Sequence, residues 1–156
     1  MAKTNDVKTK CLEGLFEVEL QFQQGMAKVN SVENLGGEYV GSGVGTVRGL
    51  RINGTVRWDL FEEREESLCR SNLVGVIDTN DGAQIQFDSR GFFIKPDESD
   101  PNKWITSASV RFNTADQRYD SLNSYLAVWE GEFDMAKLRH HYYAYVPCKS
   151  RYPQKP

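Results

Sequence analysis

Apolar residues in this chain recur at every second position, segment after segment, and almost nowhere at helical spacing. Residues 15–22 carry the pattern most cleanly. Phe16, Val18, Leu20 and Phe22 fall on one face and Glu17, Glu19 and Gln21 on the other, as in a strand with one buried side. Further extended runs occupy residues 39–48, 51–57, 73–79, 83–87, 92–94, 104–112, 124–130 and 138–146. Turn formers separate several of them: Asn53-Gly54 between two extended runs, then Asn80, Asp81 and Gly82, then residues 88–91. Residues 95–103, polar and holding two prolines, read as a mobile loop. Residues 113–123 read as a polar connection with a helical turn near Tyr119 to Leu122.

Strands numbering about eight to ten and joined by short turns predict an all-β fold, a single antiparallel up-and-down β-barrel. Residues 11–149 are expected to form that one domain, with 1–10 a loose start and 150–156 a loose tail. Gly41, Gly43 and Gly45 alternate, so one face of their strand is bare. A bare stripe suits either a facing aromatic side chain or open space for a ligand.

Composition removes whole classes of function. The chain has 156 residues and a net charge of −3, with no clustered basic excess of the kind nucleic acid asks for. No apolar run approaches the ~20 residues of a membrane span. The start is polar and basic, unlike a secretory signal. Cys11, Cys69 and Cys148 are widely spaced and odd in number, which argues against disulfides and a zinc knuckle and for a reducing, cytoplasmic location. His140 and His141 are adjacent in a strand and point to opposite faces, so they do not share a metal; they read as tethered or solvated. The glycine-rich run at 41–49 lacks the dinucleotide spacing, and no Walker A, G-x-S-x-G or H-E-x-x-H sequence occurs. The expectation is no metal and no cofactor.

An ordered set of short pieces extends from Gly36 onward. Gly36-Gly37 precedes Tyr39 and Gly41, and Gly49 and Gly54 lead to Trp58. Then come Thr79 to Ala83 with Ile85, and last Phe112, Thr114, Asp116, Tyr119, Leu122 and Asn123. In this order the chain resembles domain-of-unknown-function family 3237, small calycin-like β-barrel proteins of bacteria and fungi. Relatives often carry Asp immediately before the Trp and a Trp before the Leu-Asn pair; here Arg57 and Ser121 stand there. The resemblance implies a calycin-like barrel.

Parity along the strands nominates site residues. Val56, Trp58 and Leu60 share a face with Glu62, Val74 and Val76 with Asp78, and Leu126 and Val128 with Glu130. Turned inward, these apolar faces bring Glu62, Asp78 and Glu130 into a dry interior, where desolvation raises a carboxyl pKa toward that of a general base. Solvated acids at strand ends are the competing reading, and for Asp78 a brace on the following turn. Arg57, Arg111, Tyr119 and Asn123 are candidates to hold a developing oxyanion, and Trp58, Trp129, Tyr125 and Tyr143 to wall a planar ligand. The competing readings are exterior arginines, corner bracing and ordinary core. The expected function is a pocket for a small apolar or aromatic metabolite, with cofactor-independent proton transfer of the isomerase, cyclase or lyase type. The alternatives are a non-catalytic carrier or sensor and, more blandly, a structural interaction protein with a filled barrel. Residues 124–130 are apolar on both faces, which predicts a homo-oligomer, a two-fold dimer, covering the outer one.

Overall fold

The structure, a computed structural model, describes residues 12–32, 35–65, 67–95 and 99–147. Among them are nine strands: β1 (Leu12–Phe22), β2 (Ala27–Val32), β3 (Leu35–Arg48), β4 (Gly54–Arg64), β5 (Leu68–Thr79), β6 (Gln84–Ile94), β7 (Lys103–Asn113), β8 (Leu126–Asp134) and β9 (Arg139–Pro147). A short 3₁₀ helix, Gln117–Ser124, links β7 to β8. From β2 to β9 each strand pairs with its successor, and β1 closes the ring by pairing with β9 on one side and β3 on the other. Every pairing is antiparallel. Both β1 and β2 lie along β3, with Phe22 opposite Gly43 and Ala27 opposite Val40. They therefore act as one bent strand, and the closed barrel has eight staves. Closure through β1 pairs both sides of every other strand and leaves only the outer side of the short β2 unpaired.

Alternation fixes the inner wall. On β1, Phe16, Val18, Leu20 and Phe22 are buried, as their spacing predicts. On β6 the inward series is Ile85, Phe87, Ser89, Gly91 and Phe93, unbroken through residues 88–91. The turn expected at 88–91 is therefore strand: polar residues there obey the period of two, and Gly91 lies where a Cβ would stand 2.1 Å from the Ser107 carbonyl oxygen of β7. The other Gly-containing turn behaves as its sequence suggests, with Gly82 at φ +90°. Between β3 and β4 the turn spans residues 49–53, and Gly54 is already the first residue of β4. Asn53 serves that turn by its side chain, Oδ1 accepting from the Gly49 amide at 3.2 Å.

The glycine stripe of β3 is filled. A Cβ would meet the Phe22 ring at 2.5 Å from Gly41, the Trp58 ring at 2.6 Å from Gly43 and the Leu20 side chain at 2.9 Å from Gly45. The facing-aromatic reading holds for Gly41 and Gly43.

The 3₁₀ helix closes the end of the barrel that carries the 49–53 and 80–83 turns. Tyr119 donates its hydroxyl to Asp81 Oδ2 at 2.5 Å, and Thr79 donates to Oδ1 of the same carboxylate. Asn123 pins the helix to β7, accepting from the Thr114 amide at 2.8 Å and donating to its carbonyl at 2.9 Å. Hydrogen bonds first from Thr79 and then from Tyr119 hold the Asp81 carboxyl below its ordinary range. In Tyr119→Phe that carboxyl should titrate upward but stay below the ordinary range, because Thr79 remains. NMR titration of the Asp81 side chain checks this; no change in its midpoint would refute the assignment.

Residues 1–10 and 150–156, expected to be loose, lie outside the described residues, as do Cys11, Cys148 and positions 96–98 of the 95–103 segment. No helix among the described residues is long and apolar enough to cross a membrane.

Candidate functional site

At the barrel end opposite the 3₁₀ helix, β4 sends three successive inward positions toward the rim: Leu60, Glu62 and Arg64. Glu62 is only 3% exposed. Arg64 donates from Nε to Glu62 Oε1 at 2.7 Å and from Nη2 to the Met26 sulfur at 3.0 Å. Its guanidinium also stacks over the Tyr39 ring, 4.0 Å from the centroid, so a cation covers the buried carboxylate at the rim. Burial pushes the Glu62 carboxyl above its usual value, although the charge and hydrogen bond of Arg64 pull it down. Cys69, on the facing strand β5, is pushed up to about 12 by burial first and then by the Glu62 charge. It is a packed thiol, not a thiolate nucleophile.

Beside this pair β9 presents His140 and Tyr142, both fully buried. The imidazole stacks on Phe133 at 4.4 Å and on Phe22 at 5.4 Å, and lies 5.5 Å from Phe93. Burial drives its pKa down to about 3, so it is neutral at ordinary pH. The Tyr142 hydroxyl contacts His140 Nδ1, and Thr106 donates to the phenol oxygen at 3.5 Å. Burial raises the Tyr142 pKa, and the Glu62 charge adds to the rise. The phenol thus engages Nδ1 and leaves Nε2 as the ring nitrogen facing the interior. That Nε2 is buried without a partner, and so is Trp104 Nε1. Trp104 is opposite Phe133 in the sheet, and Phe133 is opposite His140. Two unsatisfied ring nitrogens thus share one rung of the inner wall, each costing about 1–3 kcal/mol if left so.

The neutral imidazole has a pH signature. An unfolded chain protonates His140 near 6.5, while the folded one does not until about 3. Between those values the unfolded state binds more protons, so stability falls as pH falls, by about 1.4 kcal/mol per pH unit from this residue. Urea midpoints of the parent and His140→Phe, compared from pH 6.5 to 4.5, should diverge in slope, the variant being flatter. Parallel slopes would place a solvated imidazole at 140.

Of the nominated residues, the inner wall holds Glu62, Trp58 and Trp129, the last packed on Phe87 and Tyr142 at 5.4 and 5.5 Å. Trp58 donates from Nε1 to the Val44 carbonyl at 3.1 Å. Asp78 and Glu130 do not enter the barrel. Asp78 sits on the outer wall, where Arg57 and Gln84 each donate to it at 3.0 Å and hold its pKa low. On β8 the inward positions are Ala127 and Trp129, so Leu126, Val128 and Glu130 face out, with Leu126 58% exposed. Arg57, Arg111 and Tyr143 are likewise on the exterior, Arg57 as the ion partner of Asp78. Tyr125 is half-buried beside the closing helix, and Tyr119 and Asn123 brace the opposite barrel end. His140, Tyr142, Arg64 and Trp104 were not among the nominated residues. The alternation His140, Tyr142, Ala144, Val146 was a signal that would have placed the first two inside.

One group of side chains brings metal-ligating atom types together among the described residues. Glu17, Glu19 and His141 place ligand atoms within 4.8 Å of one another on the outer wall. His141 Nε2 and Glu17 are in hydrogen-bond contact at 2.5 Å, which accounts for the proximity of these two. Five surface clefts, none lined by Glu62, lie on the barrel, one of about 540 Å³ by Asp78, Gln84 and Asp116. Another, of about 380 Å³, is on the outer wall by Phe61, Arg70 and Phe92; a third, of about 280 Å³, is by Arg51, Tyr119 and Tyr125 at the helix end.

Comparison with solved structures finds the same barrel in distant relatives. A protein of unknown function from Clostridium acetobutylicum is 19% identical, with a TM-score of 0.80 over 92% of this chain and 100% of that one. A beta-barrel like protein from Acinetobacter baumannii is 19% identical, with a TM-score of 0.78 over 88% and 96%. A protein described as an enzyme, from Penicillium herquei, is 19% identical with a TM-score of 0.66 over 87% and 94%. No curated protein matches. A family profile, however, spans residues 10–146, nearly the whole barrel, and the chain belongs to the family described as "Protein of unknown function (DUF3237)".

Proposed function

We propose that this barrel binds a small, largely apolar or aromatic metabolite at its Glu62 end and moves a proton on it without a cofactor. The reaction is then of the isomerase, cyclase or lyase type. The carrying observation is a carboxylate 3% exposed on an apolar inner wall, its pKa raised by burial. A carboxyl so placed suits a general base near neutral pH. The unpartnered ring nitrogens of Trp104 and His140 support the reading: the Trp104 N–H, and His140 Nε2 in the tautomer that protonates it, would donate to a substrate carbonyl or enolate oxygen and stabilise it. Trp58, Phe22, Phe93 and Phe133 supply apolar walls.

The test needs no known substrate. The protein is incubated in D₂O with a panel of enolisable aryl ketones and phenolic carbonyl compounds, and NMR follows exchange at the carbon next to the carbonyl. Exchange faster than buffer and bovine serum albumin controls supports the proposal. Binding without exchange favours the carrier or sensor reading.

We also propose that two copies form a two-fold dimer over the outer face of β8, where Leu126 is exposed beside the half-buried Val128. Light scattering at micromolar concentration giving a mass near 17.8 kDa would defeat this.

A further inference from the structure

The Glu62–Arg64 contact lies at the rim of the barrel, in the path to the buried carboxylate. Arg64 occupies the last inward position of β4 and is the more solvent-exposed partner, its side chain 21% exposed against 4% for Glu62. A ligand approaching Glu62 from the rim therefore meets the guanidinium first. Among the described residues its five N–H donors meet one carboxylate and the sulfur of Met26, the latter a weak acceptor. Tyr39 holds the group flat, the presentation that suits a planar two-oxygen anion. Among the described residues, the titratable groups facing Glu62 are Arg64 on its own strand, Cys69 on β5, and Tyr142 with His140 on β9. Of these only Arg64 is charged at neutral pH.

We infer that Arg64 is a displaceable latch, that the ligand carries an acidic oxygen group such as a carboxylate or phenolate, and that this anion binds by taking the guanidinium from Glu62. This deepens the proposed function and rests on the same site. The charge balance follows directly. Before binding, the pair sums to zero. When the anion takes Arg64, the Glu62 carboxylate is left in an apolar wall without the one counter-charge that the described residues give it. It then accepts one proton from solvent, so the site remains neutral. Anion binding is thereby coupled to proton uptake, and the ligand itself turns Glu62 from an ion-pair partner into a protonated carboxyl, an acid that becomes the base once it has given that proton to the substrate.

Benzoate and its neutral isostere benzamide are suitable probes, titrated calorimetrically at pH 7 in buffers of different ionisation enthalpy. The parent should bind benzoate at least tenfold more tightly than benzamide and take up close to one proton with benzoate only. Glu62→Gln should bind benzoate without proton uptake and at least as tightly, since no carboxylate competes for Arg64. Arg64→Met should lose the preference for benzoate while still binding benzamide, and Arg64→Lys should keep part of it. Benzoate binding unchanged in Arg64→Met, or binding by the parent without proton uptake, or no binding of either probe, overturns the latch. Exchange in D₂O by a protein whose Arg64→Met variant keeps its benzoate affinity would sink the latch and leave the proton-transfer reading intact. Proton-linked benzoate binding with no exchange of any panel compound would do the reverse.

Discussion

Glu62→Gln should lower D₂O exchange on any responsive panel compound by roughly 100-fold or more, the range expected when a positioned general base is removed. The same substitution should raise the melting temperature at pH 7. A carboxyl whose pKa is raised by the fold is ionised at a cost there, because burial disfavours the charged form. Glutamine keeps the shape and removes the charge. A protonated Glu62 carries no such cost, so the stability advantage of the Glu62→Gln variant should shrink as pH falls toward 4.5, the ordinary carboxyl value. Activity lost together with stability would mean that Glu62 is a structural ion-pair partner of Arg64. Activity lost with stability gained is what a residue kept for its chemistry produces.

The sequence makes the fold readable because a two-residue period fails only where something interrupts the chain, and here little does. The strands β7 and β9 appear within a residue of their observed limits, β1 begins three residues earlier than its alternation shows, and the Asn80–Gly82 turn has its glycine at positive φ. What alternation cannot give is the absolute face. Along β8 the apolar residues Leu126 and Val128 compete with Tyr125, Ala127 and Trp129, and only closure of the barrel decides for the second set. The same ambiguity put Asp78 and Glu130 provisionally inside. On β4 the three aligned apolar residues leave no such choice, and Glu62 follows them in. Arg64 was invisible as a site residue because an arginine at a strand end reads as solvated. Its importance comes from Tyr39 and Met26, both far away in sequence. His140 was hidden for a related reason. Nothing local distinguishes it from His141, yet one is fully buried among phenylalanines and the other pairs with Glu17 on the surface.

Gly43→Ala should destabilise the barrel by about 3 kcal/mol, at the upper end of what overpacking by a small group costs. A methyl group there would stand 2.0 Å from the Gln21 carbonyl oxygen and 2.6 Å from Trp58 Cζ2. The indole does not yield freely, since it is held by its hydrogen bond to the Val44 carbonyl and by the edge of Phe22 at 4.7 Å. The carbonyl belongs to the β1 backbone, so relief requires β1 and β3 to separate at the seam that closes the barrel. Trp58→Ala should cost about 3–5 kcal/mol by leaving a cavity. Combining the two separates the contacts. If the indole were the whole obstacle, the Gly43→Ala cost would vanish in the Trp58→Ala background. Because the Gln21 carbonyl remains, part of that cost should persist, and the double variant should be less stable than Trp58→Ala alone. Urea midpoints of the four proteins measure this cycle. A double variant as stable as Trp58→Ala would show that the β1–β3 seam has slack, and that Gly43 is needed only to seat the ring.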